Sequence, residues 1–381
     1  MGDIDLTRDT PKPDVPTVPL RIVAAIGTRP DVLKMLPVVL ALKELGADVE
    51  VWWSGQGKDM FPAEHQYLIT KAEKYICWDN LAEGIAETIN RFSNFLRREG
   101  DAYEHKYPQN TVPLDLGLPV DVVLVHGDDA TAYSCAVASF LEGVPVAHVE
   151  AGLRTYNKEP YPEEAFRRMI GAVATWHFAP DQTAARNVIR ENSGAPNYQG
   201  DIVNARHEWE TYGIFIVGNT INDTLPKKPF KVLATLHRRE NWGERRKEAM
   251  KVLGDFVQND NVEVSVIRHP NWDMDGFQSR VACLAPLSHD ELIEMIQEVD
   301  LVVTDSGGLQ EEAAFLGTPC ICVRTSTERT TLVENGAVEL VHPDRPEELR
   351  AALDRHLNRR YAYGRGNTSE KIAEILMGEL K

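Results

Sequence analysis

Several short stretches of this sequence carry residue types suited to chemistry. His126-Gly127-Asp128-Asp129 and His148-Val149-Glu150 each end an apolar run, and Pro162-Glu163-Glu164 opens a stretch of helical periodicity. Carboxyl groups placed at strand ends beside a cleft are candidates for acid–base work, because partial burial raises a carboxyl pKa toward neutrality. Taken singly, each fits a structural cap or an ion pair equally well. Three converging carboxylates, Asp128, Glu150 and Glu163, are harder to assign to caps alone. Further along, His237-Arg238-Arg239-Glu240-Asn241 sets a histidine beside two arginines, a combination suited to phosphate contact or proton transfer.

Two other stretches offer donors to an anion. In Gly27-Thr28-Arg29-Pro30-Asp31, Thr28 and Asp31 form a capping-box-like pair and Pro30 suits a first helical turn. A helix cap accounts for this stretch by itself; the functional reading adds Arg29 at the helix mouth and Lys34 one turn in. In Asp305-Ser306-Gly307-Gly308, small residues open a helix, where free N–H groups and the helix dipole favour a phosphate. No GK[ST] follows, so it is not a Walker A loop, and it lacks the GxGxxG dinucleotide fingerprint. Glu312, one turn further on the same face, suits a ribose diol or plain solvent. For metals, His148-x-Glu150 with Pro319-Cys320-Ile321-Cys322 departs from the zinc-deaminase signature, which needs PCxxC. There is no HExxH and no EF-hand loop, so no metal or other cofactor is expected.

The elements that must hold these residues read as short apolar strands alternating with amphipathic helices. Strands are expected at Arg21–Ile26, Val49–Trp53, Val120–Val125 and Pro145–Val149, and helices at Asp31–Leu45, Leu81–Leu96, Thr131–Leu141 and Glu163–Ala174. A second series has strands at Gly213–Val217, Lys231–Leu236, Val262–Ile267, Asp300–Thr304, Pro319–Val323 and Val338–Val341. Its clearest helices are Asp290–Val299 and Glu311–Leu316, and Ser369–Leu380 closes the chain. Val- and Ile-rich runs buried on both faces and alternating with helices mark a parallel sheet covered on both sides. The expected fold class is therefore α/β, with two Rossmann-like domains and a ligand cleft at the carboxyl ends of their strands. The expected division is a flexible tail over 1–19, a first domain over 20–208, a second over 209–365 and a C-terminal helix over 366–381.

Composition sets limits. The 381 residues carry a formal charge of −17, which argues against nucleic acid and against anionic membrane surfaces as partners. An anionic small ligand then needs concentrated local donors. Five cysteines without a CxxC read as buried small hydrophobes, fitting a reducing, cytoplasmic compartment. Neither a secretory signal nor an apolar run long enough to span a membrane is present.

The motifs also have an order: GTRPxxxKxxP, HGDxxT, HVEAGLRT, PEE, HFAP, GNTxxD, HRREN, RHPN, TDSGGLQEEAxxLGxP and TER, from about Arg21 to Val341. In this the chain resembles the non-hydrolysing UDP-N-acetylglucosamine 2-epimerases. The resemblance implies a GT-B-like pair of domains with a deep interdomain cleft, the C-terminal helix packed back on the first domain, and a homodimer without nicotinamide or metal. It implies elimination of UDP from the sugar through a 2-acetamidoglucal and re-addition with protonation from the opposite face. By matched position, Asp128, Glu150, Glu163, His237 and Lys34 are the expected catalytic residues. Arg29, Arg154, Arg238, Asn241, Ser306, Gly307, Gly308, Glu312 and Arg329 are the expected substrate contacts. A hydrolysing 2-epimerase, an epimerase of a modified UDP sugar such as a diacetamido uronic acid, and a GT-B glycosyltransferase remain as alternatives. The chain departs from the family pattern at Asp31, at Phe166 and at Thr330-Thr331. Gly57 stands where many members have the His of an activating UDP-GlcNAc site.

Overall fold

The computed structural model describes residues 19–54, 75–77, 84–97, 120–192, 213–259, 261–268, 281–361, 364 and 366–380. Apart from Pro19, the expected tail lies outside these residues. So do the Gly55-Gln56-Gly57 segment and the expected boundary at 208/209. The described residues form two compact units, 1–225 with 363–381, and 226–362.

The first unit is built on a parallel sheet of seven strands: β1 (Arg21–Ile26), β2 (Asp48–Trp53), β3 (Tyr75–Cys77), β4 (Val122–His126), β5 (Val146–Val149), β6 (Trp176–Ala179) and β7 (Ile214–Ile216), in the order β3-β2-β1-β4-β5-β6-β7. β1, β4, β5 and β6 are buried along their whole length. That explains their mostly apolar composition, as helices cover both faces. These helices are α1 (Arg29–Glu44), α2 (Ile85–Arg97), α3 (Ala130–Leu141), α4 (Glu163–Val173), α5 (Gln182–Asn192) and the short α6 (Ile221–Thr224). The capping box read at Thr28 and Asp31 starts α1, and such a cap contributes about 1 kcal/mol.

The second unit has six parallel strands, β8 (Phe230–Thr235), β9 (Val262–Ile267), β10 (Ala282–Leu284), β11 (Leu301–Thr304), β12 (Cys320–Val323) and β13 (Val338–Val341), in the order β10-β9-β8-β11-β12-β13. Its helices are α7 (Glu244–Phe256), α8 (His289–Glu298), α9 (Gly307–Leu316), α10 (Thr330–Glu334) and α11 (Pro346–Arg360). The chain then returns to the first unit as α12 (Thr368–Glu379). Ile372, Ala373 and Leu376 of α12 join Val32, Met35 and Val39 of α1 in one core, as expected for the closing helix.

Both sheets start in the middle, run outward to one edge and then cross to build the other side. This is the Rossmann pattern, with a topological switch between β1 and β4 in one unit and between β8 and β11 in the other. The expected domain boundary needs correction. Gly213–Val217 was assigned to the second domain, yet β7 pairs with β6 as the last strand of the first sheet. The division falls at Leu225/Pro226, inside the stiff Pro226-Lys227-Lys228-Pro229 break. Among the described residues no helix is long and apolar enough to cross a membrane.

Candidate active site

In the first unit the chemistry gathers where β1 and β4 diverge, which is where open α/β sheets bind ligands. Gly27 leaves β1 in close contact with the loop after β4. A Cβ there would fall 2.4 Å from both Asp129 Oδ2 and Thr131 Oγ1, so only glycine fits. Asp129 caps α3, its Oδ1 accepting the Ala132 N–H at 2.7 Å. Asp31 caps α1, its Oδ2 accepting the N–H groups of Gly27 at 3.1 Å and Thr28 at 2.7 Å.

Between these caps lies His126, the last residue of β4 and 4% exposed. Its Nδ1 is 2.8 Å from Asp31 Oδ1 and its Nε2 is 2.8 Å from Glu150 Oε2. Lys34, one turn into α1, pairs with the same Glu150 oxygen. Burial works against a charged His126, but its hydrogen bonds to Asp31 and Glu150 outweigh it and lift its pKa to about 9. Burial likewise opposes an ionised Glu150, yet His126 and Lys34 hold it down at about 2. Asp31 is held low by the same imidazole. Asp129 goes the other way: burial and the facing Asp31 push its carboxyl well above the usual range. Glu150 itself follows β5 with φ 63°, left-handed backbone that a non-glycine residue rarely adopts. That bend carries its side chain toward His126 and Lys34.

Asp128, the next residue but one after His126, pairs with Arg167 of α4. Burial raises its carboxyl above the ordinary value, more than Arg167 lowers it, and the negative Glu150 adds to the rise. Arg167 also reaches Glu164 at 3.3 Å, so Asp128 is tied to the helix that Glu163 opens. Glu163 is half-buried and has no ion pair or hydrogen bond among the described residues. Arg29, exposed at the start of α1, is likewise unpaired there. Arg154 needs correction as a ligand contact. Its side chain is 1% exposed and grips Glu191 through Nε at 3.0 Å and Nη2 at 2.7 Å, which makes it a buried tie between the β5–α4 loop and α5.

In the second unit the matching switch carries a different chemistry. Asp305, fully buried after β11, accepts the backbone N–H groups of His237 and Arg238 at 3.0 Å each and the Asn241 amide at 2.9 Å. This carboxylate shapes the loop after β8. It leaves the His237 ring 40% exposed with Nδ1 3.6 Å from Asp305, while Arg238 lies half-exposed. Asn241 is buried, also donating to the Val323 carbonyl at 3.0 Å; it holds the loop rather than facing a ligand, contrary to the expectation. Ser306 precedes the first turn of α9, in which Gly308 is exposed and open. Gly307 lies under the Arg329 guanidinium, where a Cβ would come within 2.7 Å of Nη1. Arg329 is steadied by Glu311 at 3.0 Å and Glu328 at 3.1 Å. Glu312 keeps one buried oxygen without a partner among the described residues. Beside them opens a pocket of about 180 Å³ lined by Thr235, His237, Ile267, Arg268, Leu292 and Leu309.

Lys34, Asp128 and Glu150, three of the expected catalytic residues, thus lie together at the switch point of the first unit. His126, Asp129 and Asp305 stand in the stretches singled out in the sequence but carry no expected role there, since the partners that define them come from other elements. No group of three or more His, Cys, Asp or Glu side chains among the described residues is placed to hold a metal ion.

The amino-acid sequence has family counterparts. The family profile described as UDP-N-acetylglucosamine 2-epimerase matches residues 117–377. The UDP-N-acetylglucosamine 2-epimerase of Bacillus subtilis (strain 168) is 31% identical, over 94% of this chain and 95% of that protein. That of Campylobacter jejuni is 30% identical, over 94% and 97%. Among solved structures, the UDP-GlcNAc 2-epimerase of Methanocaldococcus jannaschii in complex with UDP-GlcNAc and UDP is 25% identical over 94% of this chain and 100% of that one, with a TM-score of 0.43. The chain belongs to the UDP-N-acetylglucosamine 2-epimerase family.

Proposed function

We propose that this enzyme interconverts UDP-N-acetylglucosamine and UDP-N-acetylmannosamine by eliminating and re-adding UDP without releasing it. The C2 proton is not acidic, so its removal is coupled to departure of UDP from C1. A base takes the proton, a C1–C2 double bond forms, and the C1–O electron pair leaves on the diphosphate. UDP oxygen then adds back to C1 while an acid protonates C2 from the opposite face. The observation that carries this reading is the pair of neighbouring carboxyl groups in opposite settings: Glu150 lies between His126 and Lys34, which hold its pKa low, whereas burial raises Asp128 above the ordinary carboxyl value. Groups whose environments drive their pKa values apart are suited to separate roles, here a standing anion beside the reacting centre and a carboxyl group that exchanges protons.

Lys34, Arg29 and Glu163 complete the sugar-facing set. In the second unit, the open first turn of α9, Arg329 and Arg238 bind the diphosphate, and His237 stands by the leaving oxygen. The adjoining pocket takes the pyrimidine, and the unpaired Glu312 oxygen accepts a ribose hydroxyl. A homodimer working on a cytoplasmic nucleotide sugar belongs to the same reading. Incubation with UDP-GlcNAc followed by ¹H and ³¹P NMR tests it. UDP-ManNAc accumulating with only traces of free UDP supports it. Stoichiometric UDP and free ManNAc overturn it in favour of hydrolysis, and no change in UDP-GlcNAc while a diacetamido sugar turns over redirects the substrate.

A further inference from the structure

We propose that His126 is a positioning residue for this reaction: a doubly protonated imidazole clamped between Asp31 and Glu150, it fixes Glu150 as a standing anion and leaves Asp128 as the carboxyl group that exchanges protons. The inference rests on the epimerase reading for its catalytic consequence, but the state of His126 is a property of the protein alone.

The geometry carries it. Each ring nitrogen of His126 sits 2.8 Å from a carboxylate oxygen, and ionised carboxylates only accept. Both nitrogens must therefore carry hydrogen. The proton count of the neighbours agrees. Asp31 accepts from Gly27, from Thr28 and from His126, and Asp129 Oδ2 has no donor to accept from among the described residues. The proton missing from the carboxylate pair therefore resides on Asp129. Read along the chain of contacts, Asp129 is neutral, Asp31 negative, His126 positive, Glu150 negative and Lys34 positive. The buried cluster sums to zero, the condition under which ions tolerate burial.

The groups facing His126 are Asp31 and Lys34 from α1, Asp128 and Asp129 after β4, and Glu150 and His148 around the end of β5. His148 is buried, stays neutral and donates elsewhere, to the Gly127 carbonyl at 2.7 Å. A carboxylate gripped by two cations is a weak base and a poor acid. It is well suited to face the positive charge that develops at the anomeric carbon as the C1–O bond breaks. Proton exchange then falls to Asp128, whose ion-pair partner among the described residues is Arg167, and to Glu163.

Two measurements test this together. ¹⁵N-histidine NMR of the wild-type protein, with the His126 signals identified by their loss in His126→Gln, reads the ring directly. Doubly protonated nitrogens from pH 6 to 8 are expected; a neutral tautomer at pH 7 overturns the proposal. Kinetics of two variants read the consequence. The amide nitrogen of His126→Gln reaches roughly where Nε2 was and keeps a donor for Glu150, whereas His126→Asn keeps one only for Asp31. His126→Asn should lose about 100-fold in kcat, with KM moving less than about threefold, and gain an acid limb in its pH profile. His126→Gln should lose only about 10-fold. Equal losses that track thermal stability, with an unchanged pH profile, make His126 merely structural and overturn the proposal. If either variant fails to fold, the wild-type spectrum decides alone. A wild-type enzyme with an imidazolium at His126 but no turnover of UDP-GlcNAc sinks the epimerase reading, not the assignment of His126.

Discussion

The two units share one strand order and one kind of switch point, yet they fill it differently. In the first, side chains meet side chains: Asp31, His126, Glu150 and Lys34 form a chain of paired charges. In the second, one buried carboxylate, Asp305, holds a loop by its backbone, and the exposed surface is an open helix start, an arginine and a pocket. The first arrangement tunes protonation; the second presents donors and shape. A fold that supplies the same crevice twice can thus divide a reaction, with bond-breaking assigned to one copy and ligand-holding to the other.

The division can be broken most sharply at Glu150. Glu150→Gln removes the anion but keeps the shape, and we expect about 10²–10⁴-fold loss of kcat with UDP affinity within about threefold of wild type, read by steady-state kinetics and calorimetry. Loss of UDP binding in step with kcat would erase the contrast between the units.

Protonation gives a second handle, on stability. The folded pKa of His126, about 9, exceeds its ordinary 6.5, so its contribution is full below 6.5 and lost as pH rises through 9. Glu150, held at about 2 against 4.5, contributes above 4.5 and loses that as pH falls through 2. The raised Asp129 carboxyl weakens the fold in the same direction as His126 when pH rises. Thermal unfolding should therefore show the first unit losing on the order of 3 kcal/mol between pH 6.5 and 9. Its cluster should weaken more than anything in the second unit. A Tm that is flat across that range, or one that rises, contradicts the charge assignment.

The smallest expected effect lies in the second unit. Gly307→Ala places a methyl 2.7 Å from the Arg329 guanidinium, the far end of a long side chain, which shifts away at the expense of its exposed pairs with Glu311 and Glu328. Stability should hardly change, while UDP binding weakens about 10-fold, roughly 1.4 kcal/mol. The rate of the chemical step at saturating substrate should stay put. A kcat effect without a binding effect would blur the boundary between the two roles.

Much of this was legible in the amino-acid order. Long buried strands such as β1 and β4 and the capped start of α1 announce themselves through runs and caps. β6 does not, because Trp176–Ala179 is four residues long with His177 in it. β7 was legible as a strand but not as a member of the first sheet, since strand partners are set by tertiary pairing. At the site, polar residues at strand ends were visible, whereas which of them face a ligand was not. Arg154 and Asn241 look like ligand contacts until their buried partners are known. Asp31 looked like a cap, which it is; its second oxygen, bonded to His126, belongs to a network that only the folded chain assembles.

The central claim is that the first unit makes and breaks the C2–H bond while UDP stays with the enzyme. Incubating the protein with UDP-GlcNAc in D2O and reading the C2–H signal tests it most directly. The account predicts deuterium at C2 of both UDP-GlcNAc and UDP-ManNAc, with UDP remaining in the sugar nucleotide, and incorporation nearly abolished in Glu150→Gln. Epimerisation without deuterium at C2, or undiminished exchange in Glu150→Gln, would contradict it.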